Sequence, residues 1–174
     1  MKKLVIYYSF EGNTRLIAQT IAKAVHADIL ELKPVQEIQT KSFMKYVWGG
    51  QQVVMKKTPN LEPLIVKPKD YDLIFMGTPV WAFTYAPIFR TFFATNKLWD
   101  KKVALFCTHE GMPGKTLPNM SKALKGNDLI TATDFLNVLK NPDANQEKAE
   151  IWAHKILVDI ENQHQVFRSI NQKL

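Results

Sequence analysis

The chain contains one cysteine, Cys107, in 174 residues. A lone thiol excludes an intrachain disulfide and any metal site built from several cysteines, and it fits a reducing compartment. The 4 histidines are scattered at no familiar ligand spacing, so no metal site is expected from them. Long apolar runs are missing too. Leu4–Tyr8 follows Met1-Lys2-Lys3 but stops at Ser9-Phe10-Glu11, too soon for a signal-peptide core or a membrane span. A cytoplasmic protein that stays out of the membrane is the expectation. No internal repeat, low-complexity tract or linker divides the sequence. With 46% hydrophobic and 22% charged residues, one globular domain with its own core is expected.

Acidic residues are few, 16 against 23 basic ones, which leaves a formal charge of +7. The excess is local. Lys33, Lys41, Lys45, Lys56, Lys57, Lys67 and Lys69 face only Glu37 and Glu62 over the same stretch, so 7 minus 2, or +5 of the +7, lies there. No arginine-rich or aromatic-interleaved stripe accompanies these lysines, which argues against nucleic acid. A solvated face or a surface that steers an acidic protein partner remains.

Four short apolar segments end in turn residues: Leu4–Tyr8, Asp28–Leu32, Leu73–Met76 before Gly77-Thr78-Pro79, and Val103–Cys107 before Thr108-His109-Glu110-Gly111. The first, third and fourth are apolar throughout, as strands covered on both faces are. Leu129–Leu136 reads as a weaker fifth strand. Between the strands, Ile17, Ala18, Ile21, Ala22 and Val25 recur at helical spacing, and helices are expected over Ala86–Ala94 and Leu117–Leu124. Ala149, Trp152, Ala153, Ile156, Leu157 and Ile160 mark a C-terminal helix, with Asp143 and Gln146 as its capping box. Residues 163–174 are expected to fray, which leaves 1–162 as the domain. Ser42–Met55 is read as a helix interrupted by Gly49-Gly50. This alternation predicts a doubly wound α/β sheet with its ligand site beyond the carboxyl ends of the strands.

The richest chemistry lies in Ser9-Phe10-Glu11-Gly12-Asn13-Thr14-Arg15, where a strand meets a helix N-terminus. Unpaired N–H groups and the positive end of the helix dipole favour a phosphate there. Ser9 and Thr14 add hydroxyls, Gly12 lets the backbone close round an anion, and Asn13 tolerates a strained turn. An ordinary helix start capped by Asn13 is the plain alternative.

The run Val5 to Ile21 resembles the flavodoxin signature, with an apolar strand followed by Ser9, Gly12, Thr14, Ala18 and Ile21. The resemblance extends over the loops after the third and fourth strands and matches the short form, since nothing like the long insertion in the fifth strand is present. It implies a flavodoxin-like three-layer sandwich with a five-stranded parallel sheet in the order 2-1-3-4-5, binding FMN. Ser9, Phe10, Glu11, Gly12, Asn13 and Thr14 would hold the phosphate. Thr78, Pro79, Val80, Trp81, Ala82 and Phe83 would line the isoalloxazine, with Trp81 stacked on it. Thr108, His109, Glu110 and Gly111 would meet its other edge. The loop 108–114 lacks the tyrosine that flavodoxins commonly bring over the flavin, so one face is expected to be open. The resemblance implies an electron-transfer flavoprotein serving redox partner proteins. The alternative is an FMN-dependent NAD(P)H:quinone or nitro reductase, and a non-redox interaction module is a third reading.

No acid, base or nucleophile is needed, because the flavin carries the redox chemistry. Gly114-Lys115-Thr116 looks like the end of a nucleotide-binding loop, but His109 stands where that motif needs glycine. A phosphoacceptor receiver would need acids where Tyr8-Ser9 and Gly77 stand. His109 reads as a tuning residue or a partly exposed hydrogen-bonding one, and Cys107 as a small core residue.

Overall fold

The computed structural model describes residues 1–36 and 59–171, and no side chain at 164 or 166–171. Its elements are β1 (Lys3–Tyr7), α1 (Asn13–Val25), β2 (Asp28–Glu31), β3 (Leu73–Trp81), β4 (Thr84–Tyr85), α2 (Ile88–Thr95), β5 (Lys102–His109), α3 (Thr116–Ala123), β6 (Asp128–Leu136) and α4 (Pro142–Asn171). The expected helix over Ser42–Met55 lies outside the described residues.

The sheet runs β2-β1-β3-β5-β6, with every neighbour along that path parallel. Counted over the parallel strands alone, this is the order 2-1-3-4-5. The antiparallel β4, folded back on the end of β3, is an addition to the expected set. Alternation sorts the central strands into two apolar layers. Leu4 and Ile6, Ile74 and Met76, and Val103 and Leu105 meet Ile88, Phe89 and Phe92 of α2 and Met120 of α3. Val5 and Tyr7, Leu73 and Phe75, and Ala104 and Phe106 face the other way, onto Ile17, Ala18 and Ile21 of α1 and Ala149, Ala153 and Ile156 of α4. Each fully buried large apolar side chain contributes about 1.5 to 3 kcal/mol. Continuous apolarity in β1, β3 and β5 thus follows from helices on both faces, whereas the edge strand β2 buries only Leu30 fully.

The start of α4 differs from the expected capping box. Pro142 opens the helix, where its fixed φ and missing N–H cost nothing, so Asp143 already lies inside the first turn. Gln146 turns away to Thr20, its amide nitrogen 3.4 Å from the hydroxyl. Asn145 instead ties the turn, donating to the carbonyls of Asn141 at 2.9 Å and Leu136 at 3.2 Å. The helix continues through Asn171, past Asn162, where fraying was expected to begin.

Candidate functional site

Three loops meet beyond the carboxyl ends of β1, β3 and β5. The first is Tyr8–Gly12. Gly12 takes φ 100° as the residue before α1, a conformation open to glycine and strained for other residues. Ser9 Oγ accepts the N–H groups of Gly12 at 3.2 Å and Arg15 at 3.1 Å, so this hydroxyl fastens the turn to the helix start. The cap and the strained geometry assigned to Asn13 therefore belong to Ser9 and Gly12. Asn13 serves the segment after β6 instead, its Oδ1 accepting the N–H of Leu139 at 3.1 Å. Thr14, almost fully buried, shares a hydrogen bond of 2.8 Å with the hydroxyl of Thr108 at the end of β5. Arg15 leans toward β2 and pairs with Glu31 at 2.7 Å. The turn thus offers backbone N–H groups and hydroxyls, and the charge of Arg15 beside it is already paired.

The second group comes from β3, which runs on to Trp81. The residues expected to form a loop from Thr78 are strand as far as Trp81, and only Ala82 and Phe83 make the turn to β4. Thr78 is buried, its hydroxyl accepting the N–H of Ala86 at 3.0 Å. Trp81 is 7% exposed. Its ring packs edge-on against Tyr8, 5.7 Å away at 84°, and Phe10, 5.8 Å away at 87°. Burial, reinforced by Glu31, pushes the Tyr8 phenol up to about 12 and keeps it neutral.

The third group closes the cleft from β5. His109 approaches Asp134 of β6, with 2.9 Å between Nε2 and Oδ2, and its side chain is only 6% exposed, so it is more buried than expected. Its Nδ1 is buried with no hydrogen-bond partner among the described residues. Beside it, Glu110 and Lys140 form an exposed pair at 3.0 Å.

Together these enclose a cleft of about 220 Å³ walled by Ser9–Glu11, Asn13, Thr14, Pro79–Trp81 and Thr108–Glu110. Every wall residue was singled out in the sequence, while Gly12, Thr78, Ala82, Phe83 and Gly111 stand outside the wall. A larger groove, of about 470 Å³, lies at the opposite edge of the sheet around Lys2, Lys3, His26 and Lys67. It lies away from the phosphate-type turn. Asp134 escaped the sequence reading, because pairing it with His109 requires the register between β5 and β6.

The family model for flavodoxin matches residues 2–153. The chain belongs to the flavodoxin family. No curated protein matches it. Among solved structures, a flavoprotein from Bacteroides uniformis ATCC 8492 is 21% identical, with 87% of this chain and 96% of that one covered at a TM-score of 0.72. One from Bacteroides eggerthii DSM 20697 is 23% identical, with coverages of 90% and 98% and a TM-score of 0.68. A flavoprotein from Lactobacillus acidophilus NCFM, solved in complex with FMN, is 22% identical, with coverages of 80% and 96% and a TM-score of 0.62. At these identities the likeness establishes the shared fold.

In this flavodoxin β6 runs from Asp128 to Leu136 as one strand, in keeping with the short form. Cys107 is buried at the cleft end of β5, and burial, with Asp134 nearby, pushes its thiol up to about 12. It is therefore an inert core residue. Among the described residues no group of histidines, cysteines and acids could hold a metal, and no helix is long and apolar enough to cross a membrane.

Proposed function

We propose that this flavodoxin binds FMN in the cleft and carries electrons between redox partners, with the Ser9–Thr14 turn as the phosphate seat. The observation that carries this reading is the donor set of that turn. It lies at a helix N-terminus, beyond the strands where the sheet order reverses, and it contains Gly12 at φ 100°. The fit extends to the far wall. The buried, unpartnered His109 Nδ1 is the kind of atom that a polar ring edge would satisfy, and Asp134 holds the imidazole in place. Bound FMN would supply one- and two-electron chemistry. The protein's part is to hold the phosphate through Ser9, Thr14 and backbone N–H groups, and to seat the ring between Pro79–Trp81 and Thr108–Glu110.

FMN added to the apoprotein is expected to give a yellow 1:1 complex with strong quenching of tryptophan fluorescence, since Trp81 walls the cleft. Trp81→Phe should remove most of the quenching. A titration showing no complex would sink the reading.

The reductase alternative is favoured by one feature. The loop 108–114 carries no phenylalanine, tyrosine or tryptophan, so no such ring from it would stack on a bound isoalloxazine. Steady-state NAD(P)H oxidation with a quinone acceptor separates an enzyme from a carrier.

An acidic partner protein in the cytoplasm suits the basic balance of the chain. Lys67 lines the groove at the sheet edge opposite the cleft. Lys41, Lys45, Lys56 and Lys57 lie outside the described residues. Charge complementarity acts mainly on the encounter rate. Electron transfer to an acidic partner is therefore expected to slow as salt rises through about 0.15 M, where the screening length is about 8 Å. Salt-insensitive transfer, or tight binding of DNA or RNA in a gel shift, would refute the steering role.

A further inference from the structure

Glu11, His109 and Glu110 are the titratable side chains among the described residues that wall the cleft. Two of them are acids, so within that wall only His109 can acquire a positive charge. Its two ring nitrogens are placed differently. Nε2 lies 2.9 Å from Asp134 Oδ2, whereas Nδ1 is buried with no hydrogen-bond partner among the described residues. A neutral imidazole carries one N–H. On Nε2, that proton is donated to the carboxylate and Nδ1 keeps a bare lone pair. On Nδ1, it would set two acceptors against each other at 2.9 Å and strand a buried N–H, which is the rarer and costlier orphan. The geometry therefore selects the Nε2–H tautomer and makes Nδ1 the position that can accept a proton.

The surroundings suit that role. Asp134 lies on β6 with its side chain 43% exposed, within reach of solvent protons. The Lys148 ammonium of α4 donates to the Asp134 carbonyl at 2.6 Å and fixes the backbone that carries the carboxylate. Glu110, next to His109 in the chain, is paired with Lys140 of the segment before α4 at 3.0 Å. Glu11 faces the cleft from the turn after β1. Asn137, whose N–H donates to the His109 carbonyl at 2.8 Å, has its side-chain oxygen buried without a partner among the described residues. With Nδ1 bare, both orphaned atoms at this corner are acceptors, so the corner is short of protons.

We propose that His109 and Asp134 form a redox-linked proton site: His109 takes one proton from solvent at Nδ1 when a flavin in the cleft is reduced by two electrons, and returns it on reoxidation. Asp134 is a positioning residue that holds the Nε2 proton and offsets the imidazolium charge. The step balances. Two electrons from a redox protein and one proton leave the ring with one negative charge, the second proton gives His109 one positive charge, and the net charge of the cleft is unchanged. Without that offset, a negative charge enclosed beside Glu11 and Glu110 is costly, since low dielectric strengthens each repulsion. By linkage, proton uptake on reduction makes the protein a stronger oxidant as pH falls. The inference rests on the FMN reading and deepens it by giving His109 a part in charge balance.

The test is 15N NMR of histidine-labelled protein, which reads the protonation of each ring nitrogen, at about pH 7.5, above the ordinary histidine range. The apoprotein and the oxidised protein saturated with FMN should both carry the His109 proton on Nε2 alone. After reduction with dithionite, a protonated Nδ1 should appear. The midpoint potential of the FMN-saturated wild type should fall about twice as steeply with pH as that of His109→Gln, because two protons accompany two electrons in place of one. Asp134→Asn should share the shallow slope and leave Nδ1 bare after reduction, and Asp134→Glu should restore both. An apoprotein with its proton on Nδ1 would overturn the proposal. With FMN bound and reduced, a bare Nδ1 in the wild type would overturn this inference alone. So would a slope unchanged in His109→Gln and Asp134→Asn, because the second proton would then reside on the ring. Absence of FMN binding in the wild type would overturn the underlying reading and this inference with it.

Discussion

Gly77→Ala is expected to destabilise the protein by about 3 kcal/mol, at the upper end of the usual cost of overpacking a core. Gly77 sits in β3 directly opposite Phe106 of β5. A Cβ there would lie 2.0 Å from Phe106 Cζ, 2.3 Å from Cε2 and 2.6 Å from Cε1, so the ring itself would have to move. It has little room to do so. Phe106 is fully buried and packs edge-on against Phe135, 6.2 Å away, and Trp152, 6.4 Å away. The damage should also reach the cleft, because the Gly77 carbonyl accepts the N–H of Tyr8 at 3.1 Å and Thr78-Pro79 follow directly. Urea unfolding followed by circular dichroism checks the stability. Gly111→Ala is the control, since nothing lies within 4 Å of a Cβ there, and it should change stability by less than about 0.5 kcal/mol. A cost below about 1 kcal/mol for Gly77→Ala would mean that the aromatic layer yields easily.

Thr14→Ala should weaken FMN binding by about 1.5 to 3 kcal/mol, the range for a hydrogen bond to a charged group. That corresponds to roughly 10- to 150-fold in Kd. The Thr14 hydroxyl lies 2.8 Å from that of Thr108. If Thr108 donates to Thr14, the Thr14 proton is free for a phosphate oxygen, and the two bonds reinforce each other. Alanine at 14 removes the donor and strands the buried Thr108 hydroxyl, so about 1 kcal/mol of stability should go as well. Two companions separate the effects. Thr14→Ser should retain FMN affinity within a few-fold, and Thr108→Val should cost less affinity than Thr14→Ala. Isothermal titration with FMN reads all three, and unchanged affinity in Thr14→Ala would remove the phosphate from this turn.

Much of this was legible in the sequence because it depends on local rules. The apolar runs at Leu4–Tyr8, Leu73–Met76 and Val103–Cys107 require cover on both faces, and helical spacing from Ile17 to Val25 supplies part of it. Strands that alternate with helices leave few topologies, and all of them bring the loops after β1, β3 and β5 to one edge. The loops that wall the cleft could therefore be placed from pattern alone, while the individual wall residues were named through the flavodoxin resemblance. The turn chemistry around Gly12 is equally local, since a helix start preceded by glycine and flanked by hydroxyls favours an anion wherever it occurs.

The remaining features depended on partners distant in the chain. Ser9, not Asn13, fastens the turn because β1 delivers its hydroxyl within reach of two amides, while Leu139, far along the chain, claims the Asn13 side chain. Trp81 turns inward because Tyr8 and Phe10 receive it edge-on, whereas Phe83 is left outside by a hairpin that its own sequence disfavours and that Gly114 and Lys115 hold in place. His109 meets Asp134 only through the register of β5 with β6, which slips between Val103 and Ala104. Sequence alone decided the five parallel strands, the helices between them and the anion-seeking turn, since propensity and periodicity act over a few residues, whereas the β3–β4 hairpin was not legible in it. Tertiary structure alone decided which polar atoms are paired, which ring is buried and which is displayed, because those outcomes depend on contacts between residues that are distant in the chain.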